Sequence, residues 1–248
     1  MLFRSESAAV RQVAQAYRDA GGTWVDSAIA GGDQSRAVTV NRIIGGLRSC
    51  TGLSDLGRQQ AERLRDRWAT DGFVPDVVVS STYPRAVETA EIVGAAFPGL
   101  GLEQRVEFGE HDPGPDCDGM SYDDFAARFG IGGWRTEDPF ATVYPGGETV
   151  AAFQYRVGLA LKGLLDDHPD RSAVVFCHGG VIDALLRHVL RAPSRGAFEV
   201  FTLNTSITEF ERVSRDGSSP IWRLVRYNDA AHLSGLPASS PQIGRAHV

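Results

Sequence analysis

Apolar residues along this chain recur at two spacings, and stretches of the two kinds alternate. In SDLGRQQAERLRDRWAT, Leu56, Leu64 and Trp68 stand among charges as the stripe of a one-faced surface helix, with Ser54 as its N-cap. In YPGGETVAAFQYRVGLALKGLLDD a Pro-Gly-Gly turn precedes Val150, Phe153, Val157, Leu161 and Leu164, again at helical spacing. Short uninterrupted apolar runs fall between such stretches. PDVVVSS, with Pro75 ahead of its valines, and Ala173 to Phe176 each read as a strand covered on both faces of a parallel sheet. A helical pattern follows each of them, YPRAVETAEIVGAAF after the first and VIDALLRHVL after the second. Glu103 to Phe108 predicts another strand, GPDCDGMSYDDFAARFGIGGW an acidic, loop-rich stretch, and NTSITEFERV with IWRLVRY a hairpin. No internal repeat is visible, and the tail from Ser234 is expected to be loose. Strand and helix in alternation predict α/β layers.

Composition narrows the function classes. The 248 residues suffice for one large domain with a sizeable core. A net charge of −6 without any block of lysine or arginine argues against a nucleic-acid surface or a polybasic membrane patch. No apolar stretch approaches the ~18 residues needed to span a bilayer, and the N-terminus lacks the apolar core of a signal peptide. A soluble, cytoplasmic protein is expected. Cys50, Cys117 and Cys177 are odd in number and lack CxxC spacing, so neither a disulfide framework nor a zinc site is indicated.

Candidate chemistry gathers at strand ends. His178, in VVFCHGG, stands where a buried strand stops. Gly179 and Gly180 allow a tight turn and close approach of a ligand, and the helix that follows offers its N-terminal amides to an anion. Arg85 holds the equivalent place after PDVVVSS. In open α/β sheets ligands bind beyond the carboxyl ends of strands, so both side chains can face one crevice. The planar fork of arginine matches phosphate oxygens. Glu110, on the Gly- and Pro-rich EFGEHDPG loop, is placed to reach a leaving oxygen. Taken singly, each residue has a plainer reading: a strand-end histidine satisfying hydrogen bonds, a surface arginine, a solvated loop glutamate.

Together SDLGRQQAERL, SSTYPRAVETAEIV, YPGGETVAAFQYRV, VVFCHGGVI, NTSITEF and the closing YNDAAHL resemble, in order and spacing, the landmarks of the histidine phosphatase superfamily, the phosphoglycerate-mutase-like fold, over roughly Asn41 to Leu233. The resemblance implies a three-layer α/β/α sandwich with a mainly parallel sheet. It implies a phosphomonoester hydrolase or phosphomutase acting on a small phosphorylated substrate, without metal or other cofactor. Arg85 would clamp the phosphoryl group, His178 and the Gly179 backbone would hydrogen-bond its oxygens, and Glu110 would protonate the leaving group. Substrate identity and oligomeric state are not legible.

One part of the pattern is missing. The family's nucleophile is a histidine in an Arg-His-Gly motif at the end of the first strand, and no histidine precedes His111 in this chain. With Gln34 and Ser35 set against the Gln-Ser of a family-like HGQS, Gly31 and Gly32 occupy the arginine and histidine positions. Without an imidazole there is no phosphohistidine intermediate, so turnover is expected to be impaired or absent. The alternative is a pseudo-phosphatase that binds a phosphorylated ligand or partner without chemistry. His178 would lie on the wrong side of the phosphate to attack, and His111 is a weaker substitute. AAVRQVAQAYRDAGGTWVDSAIAGG weakly resembles the helix, strand and Asp-x-x-x-x-Gly-Gly loop of β-hydroxyacid dehydrogenases, but no GxGxxG supplies a cofactor site. MLFRS and IGRAHV match the translation of a short-read sequencing adapter in its two orientations, which makes a fragment or chimera joined near Gly32 to Arg36 the expectation. The chain thus divides into an atypical segment, 1–36, a phosphatase-like domain, 37–233, and a tail, 234–248.

Overall fold

Both uninterrupted apolar runs become inner strands of one sheet. In the computed structural model, which describes residues 23–29, 43–130, 138–194, 200–213 and 219–237, the strands are β1 (Thr23–Ile29), β2 (Val77–Ser80), β3 (Leu102–Gln104), β4 (Ala173–Cys177), β5 (Ile207–Val213) and β6 (Ile221–Asp229). Their order is β3-β2-β4-β1-β5-β6. The pairs β2–β3, β2–β4 and β1–β4 are parallel, whereas β1–β5 and β5–β6 are antiparallel. The helices are α1 (Asp55–Asp71), α2 (Pro84–Gly94), α3 (Tyr122–Phe129), α4 (Val150–Asp167) and α5 (Gly179–Leu190). None of the described helices is long and apolar enough to cross a membrane.

Two cores, one on each face of the sheet, produce three layers. On one face Leu64 and Trp68 of α1 and Ala90 and Val93 of α2 pack on Val78, Val174, Phe176 and Ile207. On the other, Phe153, Val157, Leu161 and Leu164 of α4 and Val181, Ile182 and Leu185 of α5 pack on Val79, Val175, Cys177 and Phe210. Side chains of one strand alternate between the two faces, so valines in succession serve both. The helices begin where their caps predict. Ser54 Oγ accepts the Gly57 amide at 3.1 Å, and Thr149 Oγ1 accepts that of Ala152 at 3.1 Å.

Two expectations change in detail. Instead of one strand over Glu103 to Phe108, β3 stops at Gln104 and a 3-10 turn covers Val106–Phe108. The last ladder bond runs from the Arg105 amide to the Ser80 carbonyl at 2.9 Å, after which the chain bends and Phe108 is buried among α4 and α5 residues. Within the acidic stretch, α3 forms over Tyr122–Phe129, with Ser121 as N-cap and Asp123 and Asp124 in its first turn. None of its residues is buried, so no apolar stripe marks it. Most of the IGGWRTEDPF loop (131–137), and the tail beyond Pro237, lie outside the described residues.

The centre of the sheet is β1. Thr23–Ile29, within the segment set apart above, pairs with β4 through Val25↔Ala173 to Ile29↔Cys177 and with β5 through Thr23↔Arg212 to Ala28↔Ile207. The far edge is tied down electrostatically, because Arg67 of α1 meets Asp229 at the end of β6 at 2.5 Å.

Two outcomes test this packing. Trp68 stands 5.5 Å, ring centre to ring centre, from both Phe73 and Phe97 and 6.3 Å from Phe176. Trp68→Ala should cost about 3–5 kcal/mol in chemical denaturation; a loss within experimental error would show that this cluster does not hold α1 to the sheet. Burial opposes the charge of Asp229, but hydrogen bonds from Arg67 and the Ala231 amide, with the charges of Arg67 and Arg226, outweigh it and bring its pKa down to about 2 from the ordinary 3.8. The stabilisation is therefore complete above that ordinary value and lost as pH falls through about 2. Melting curves of the wild type and Asp229→Asn should differ at neutral pH and converge over that acid window.

Candidate active site

The carboxyl ends of β2, β4 and β1 and the amino end of the antiparallel β5 define one row of positions. Ser80, Phe176, Ala28 and Ile207 are in register across β2, β4, β1 and β5, so the residues that follow the ends of β2 and β4 emerge side by side. Those residues are Ser81, which follows β2, and His178, which follows β4. Ser81 Oγ lies 2.7 Å from His178 Nε2. The Tyr83 ring meets the imidazole edge-on at 4.7 Å and 64° and carries the Arg85 guanidinium over it at 4.6 Å. Burial pushes the Tyr83 phenol well above its ordinary pKa, so the ring acts here as a neutral platform.

Among the described residues Arg85 is an electrostatic anomaly. It sits in the first turn of α2 after Pro84, where a helix dipole disfavours a cation, and it is only 2% exposed. Other buried charges among the described residues have partners. Arg226 meets Glu209 and Arg223 meets Glu211, each at 2.5 Å, and Arg187 meets Asp183 at 2.8 Å. Arg85 makes no ion pair among the described residues, and its Nε and Nη1 are buried without a hydrogen-bond partner. An uncompensated buried guanidinium is costly unless an anion completes the site.

Glu110 approaches from the loop after the 3-10 turn. Its Oε2 accepts the Gly180 amide at 3.1 Å, and its Oε1 accepts the His111 amide at 2.9 Å. Thus a carboxylate occupies the N-terminus of α5, as the helix dipole favours. The loop is fastened from beneath by Arg156. It donates to the carbonyls of Glu107, Gly109 and Glu110 at 2.7, 3.1 and 3.3 Å, and grips Glu148 through Nε and Nη2 at 2.9 and 2.8 Å. Burial works against the charge of Arg156, but Glu148 more than offsets it.

The structure therefore brings together Arg85, His178, Gly179 and Glu110, four residues singled out from the sequence. His178 is the N-cap of α5 and Gly179 its first residue. His111, beside Glu110, packs its ring against Phe153 at 5.4 Å and Tyr144 at 6.2 Å, and burial lowers its pKa, so it serves as part of an aromatic wall. Gly31 and Gly32 lie outside the described residues. Sequence reasoning did not single out Ser81, Tyr83, Glu148 or Arg156. Ser81 follows the end of β2 and lies four residues ahead of Arg85, and Tyr83 lies two ahead of it, a local signal; Arg156 is marked only by its spacing from Glu148, eight residues ahead of it on the other side of a cap. The turn before β5 adds Thr205, fully buried at a φ of 54°, unusual for a β-branched residue, and buried oxygens of Thr202, Asn204 and Ser206 without hydrogen-bond partners. A buried cation, an imidazole, a carboxylic group and helix amides in one place can hold a tetrahedral oxyanion and protonate a departing oxygen.

Comparison with known proteins points the same way. Residues 35–230 match the model of the histidine phosphatase superfamily (branch 1). Phosphoglycerate mutase-like protein 4 of Arabidopsis thaliana is 30% identical over 184 residues, which span 73% of this chain and 76% of that protein. The uncharacterized phosphatase PhoE of Bacillus subtilis is 27% identical over 197 residues, 76% of this chain and 90% of that one. Among solved structures, a mycobacterial glucosyl-3-phosphoglycerate phosphatase superposes with a TM-score of 0.67 at 26% identity, covering 84% of this chain and 99% of its own.

The close fit of Glu110 to the α5 terminus yields a prediction. A Cβ on Gly180 would overlap the Glu110 carboxylate. Gly180→Ala should expel Glu110 from the helix end and cost about 1–3 kcal/mol of stability; an unchanged melting temperature would show that the loop carrying Glu110 yields freely.

Proposed function

The chain belongs to the histidine phosphatase superfamily, and on that premise we propose that it binds a small phosphomonoester at the Arg85–His178 site, with turnover limited by the glycines at positions 31 and 32. The observation that carries this reading is Arg85, a buried guanidinium lacking an anionic partner among the described residues. A phosphoryl group in transfer spreads its charge over three equatorial oxygens, and a prepositioned arginine and imidazole stabilise that charge without a metal. Glu110 is the acid for the leaving oxygen. The nucleophile is the part that is wanting: no histidine precedes His111. That same absence favours a second reading, a protein that binds its phosphorylated ligand and does nothing further to it. The glucosyl-3-phosphoglycerate phosphatase among the solved relatives is named for a phosphorylated small molecule, and a ligand of that class suits this site.

Titration calorimetry with inorganic phosphate or vanadate tests the pocket. The wild type should bind, Arg85→Ala should weaken binding by about a hundredfold, and Glu110→Gln should leave it within about threefold. Failure of the wild type to bind either anion would sink the reading. Replacing Gly31→Arg, Gly32→His and Asp33→Gly together should raise hydrolysis of an aryl phosphate by at least about a hundredfold. A repaired chain that binds phosphate yet remains inert would favour the binding-only protein, and a parent chain as fast as the repaired one would refute the limit set by Gly31 and Gly32.

A further inference from the structure

A buried turn ordinarily satisfies its side chains as well as its main chain, because a polar atom taken out of water and left unpaired costs stability. The turn ahead of β5 does only half of this. Its main chain is braced: the Leu203 amide donates to Asn228 Oδ1 at 2.7 Å, the Ser206 amide to the Leu203 carbonyl at 3.2 Å, and Thr205 Oγ1 to the Asn204 carbonyl at 2.7 Å. The bracing holds Thr205 at a φ of 54°, a region that β-branched residues avoid. The side chains are left open. Thr202 Oγ1, Asn204 Oδ1 and Ser206 Oγ have no hydrogen-bond partner among the described residues, although the three residues are at most 3% exposed.

Their placement gives these groups a use. Ile207, which follows the turn, is in register with Ala28, Phe176 and Ser80, so the turn stands at the end of the sheet from which Ser81 and His178 emerge. On the β2 side of that end, Ser80 Oγ, Thr82 Oγ1 and the Nε and Nη1 of Arg85 are also buried without partners among the described residues. Open polar groups thus gather on two sides of one end. Between β2 and β5 lie β4 and β1, so the two sides are three strand spacings or about 14 Å apart, within the combined reach of an arginine side chain, a phosphoryl group and a shorter side chain opposite. These groups share the ability to give a proton. The guanidinium has only donors, each hydroxyl has one, and a half-turn of the Asn204 amide presents its NH2 in place of its oxygen. A phosphoryl dianion has only acceptors. We propose that the Thr202–Ser206 turn is a second, uncharged wall of the phosphate site, in which the hydroxyls of Thr202 and Ser206 and the amide of Asn204 donate to phosphoryl oxygens from the side opposite Arg85. The braced and strained main chain keeps these donors in place before the ligand arrives, so binding need not order them. Arg85 supplies the charge, and the turn supplies direction.

This wall rests on the phosphate-binding function proposed above. Thr202→Val and Ser206→Ala, made in the full chain, each remove a hydroxyl with little change of shape, and two readouts separate a ligand-binding role from a structural one. Without phosphate, the melting temperature of each variant should equal or exceed that of the wild type, because an unpaired buried group has been removed. Calorimetric titration with inorganic phosphate should show an affinity about tenfold weaker in each. A lowered melting temperature in both would mark the hydroxyls as braces of the fold and overturn the proposal. Equal phosphate affinity in the wild type and both variants would overturn it too, with the Arg85 pocket left standing. The wild type alone decides if the variants do not fold: the side-chain NH2 signals of Asn204, assigned by triple-resonance NMR, should shift on saturation with phosphate, and signals that stay in place would overturn the wall. Failure of the wild type to bind phosphate at all would instead refute the pocket, and the wall with it.

Discussion

The complete burial of β4 is the constraint from which the architecture follows. Ala173–Cys177 has no exposed residue, is hydrogen-bonded along both edges by β1 and β2, and is covered by helices on both faces. A strand so enclosed admits only apolar side chains along its length. Polar chemistry can appear only where it ends, and His178 is the first residue past that point. The same reasoning applies one strand over, where β2 delivers Ser81 and, after a short turn, Arg85. The site lies at the carboxyl ends because β4 and the valines of β2 leave no room for it between their ends.

Within the site the two signs of charge are treated differently. Glu110 is satisfied, with one oxygen on the Gly180 amide and the other on the His111 amide. Arg85 is held in place by an aromatic ring and left electrostatically incomplete. A folded chain tolerates such an imbalance only where the rest of the packing over-determines it, and here the Arg156–Glu148 pair, Tyr83 and the α5 terminus supply that rigidity. Preorganisation of this sort lets an incoming anion be bound without rearranging the groups that receive it.

Much of this was legible in the sequence, and the reasons are specific. The stripes of α1 and α4 and the valines of β2 and β4 are spaced by their burial, and the buried residues of α4 include Val150, Phe153, Val157, Leu161 and Leu164, all marked in advance. Arg85, His178 and Glu110 were legible because strand ends and Gly-rich loops advertise themselves. Helix α3 was not, since no buried side chain imposes a period on Tyr122–Phe129. Ser81 and Tyr83 were passed over because serine and tyrosine in a turn carry no pattern; their importance comes from contacts with a ring 95 or more residues away in the chain. The partnership of Arg156 with three loop carbonyls is likewise a product of tertiary geometry alone.

The place of β1 has a consequence of another kind. This strand joins β3-β2-β4, which lie on one side of it, to the β5–β6 hairpin on the other, parallel to the first and antiparallel to the second. Its neighbours offer it main-chain donors and acceptors, which select for length and extension more than for any particular sequence. A strand held chiefly through its main chain is therefore among the easier ones to vary in sequence. In such an architecture shape and chemistry can part company: the arch stands on the main chain of its keystone, whatever side chains that keystone bears.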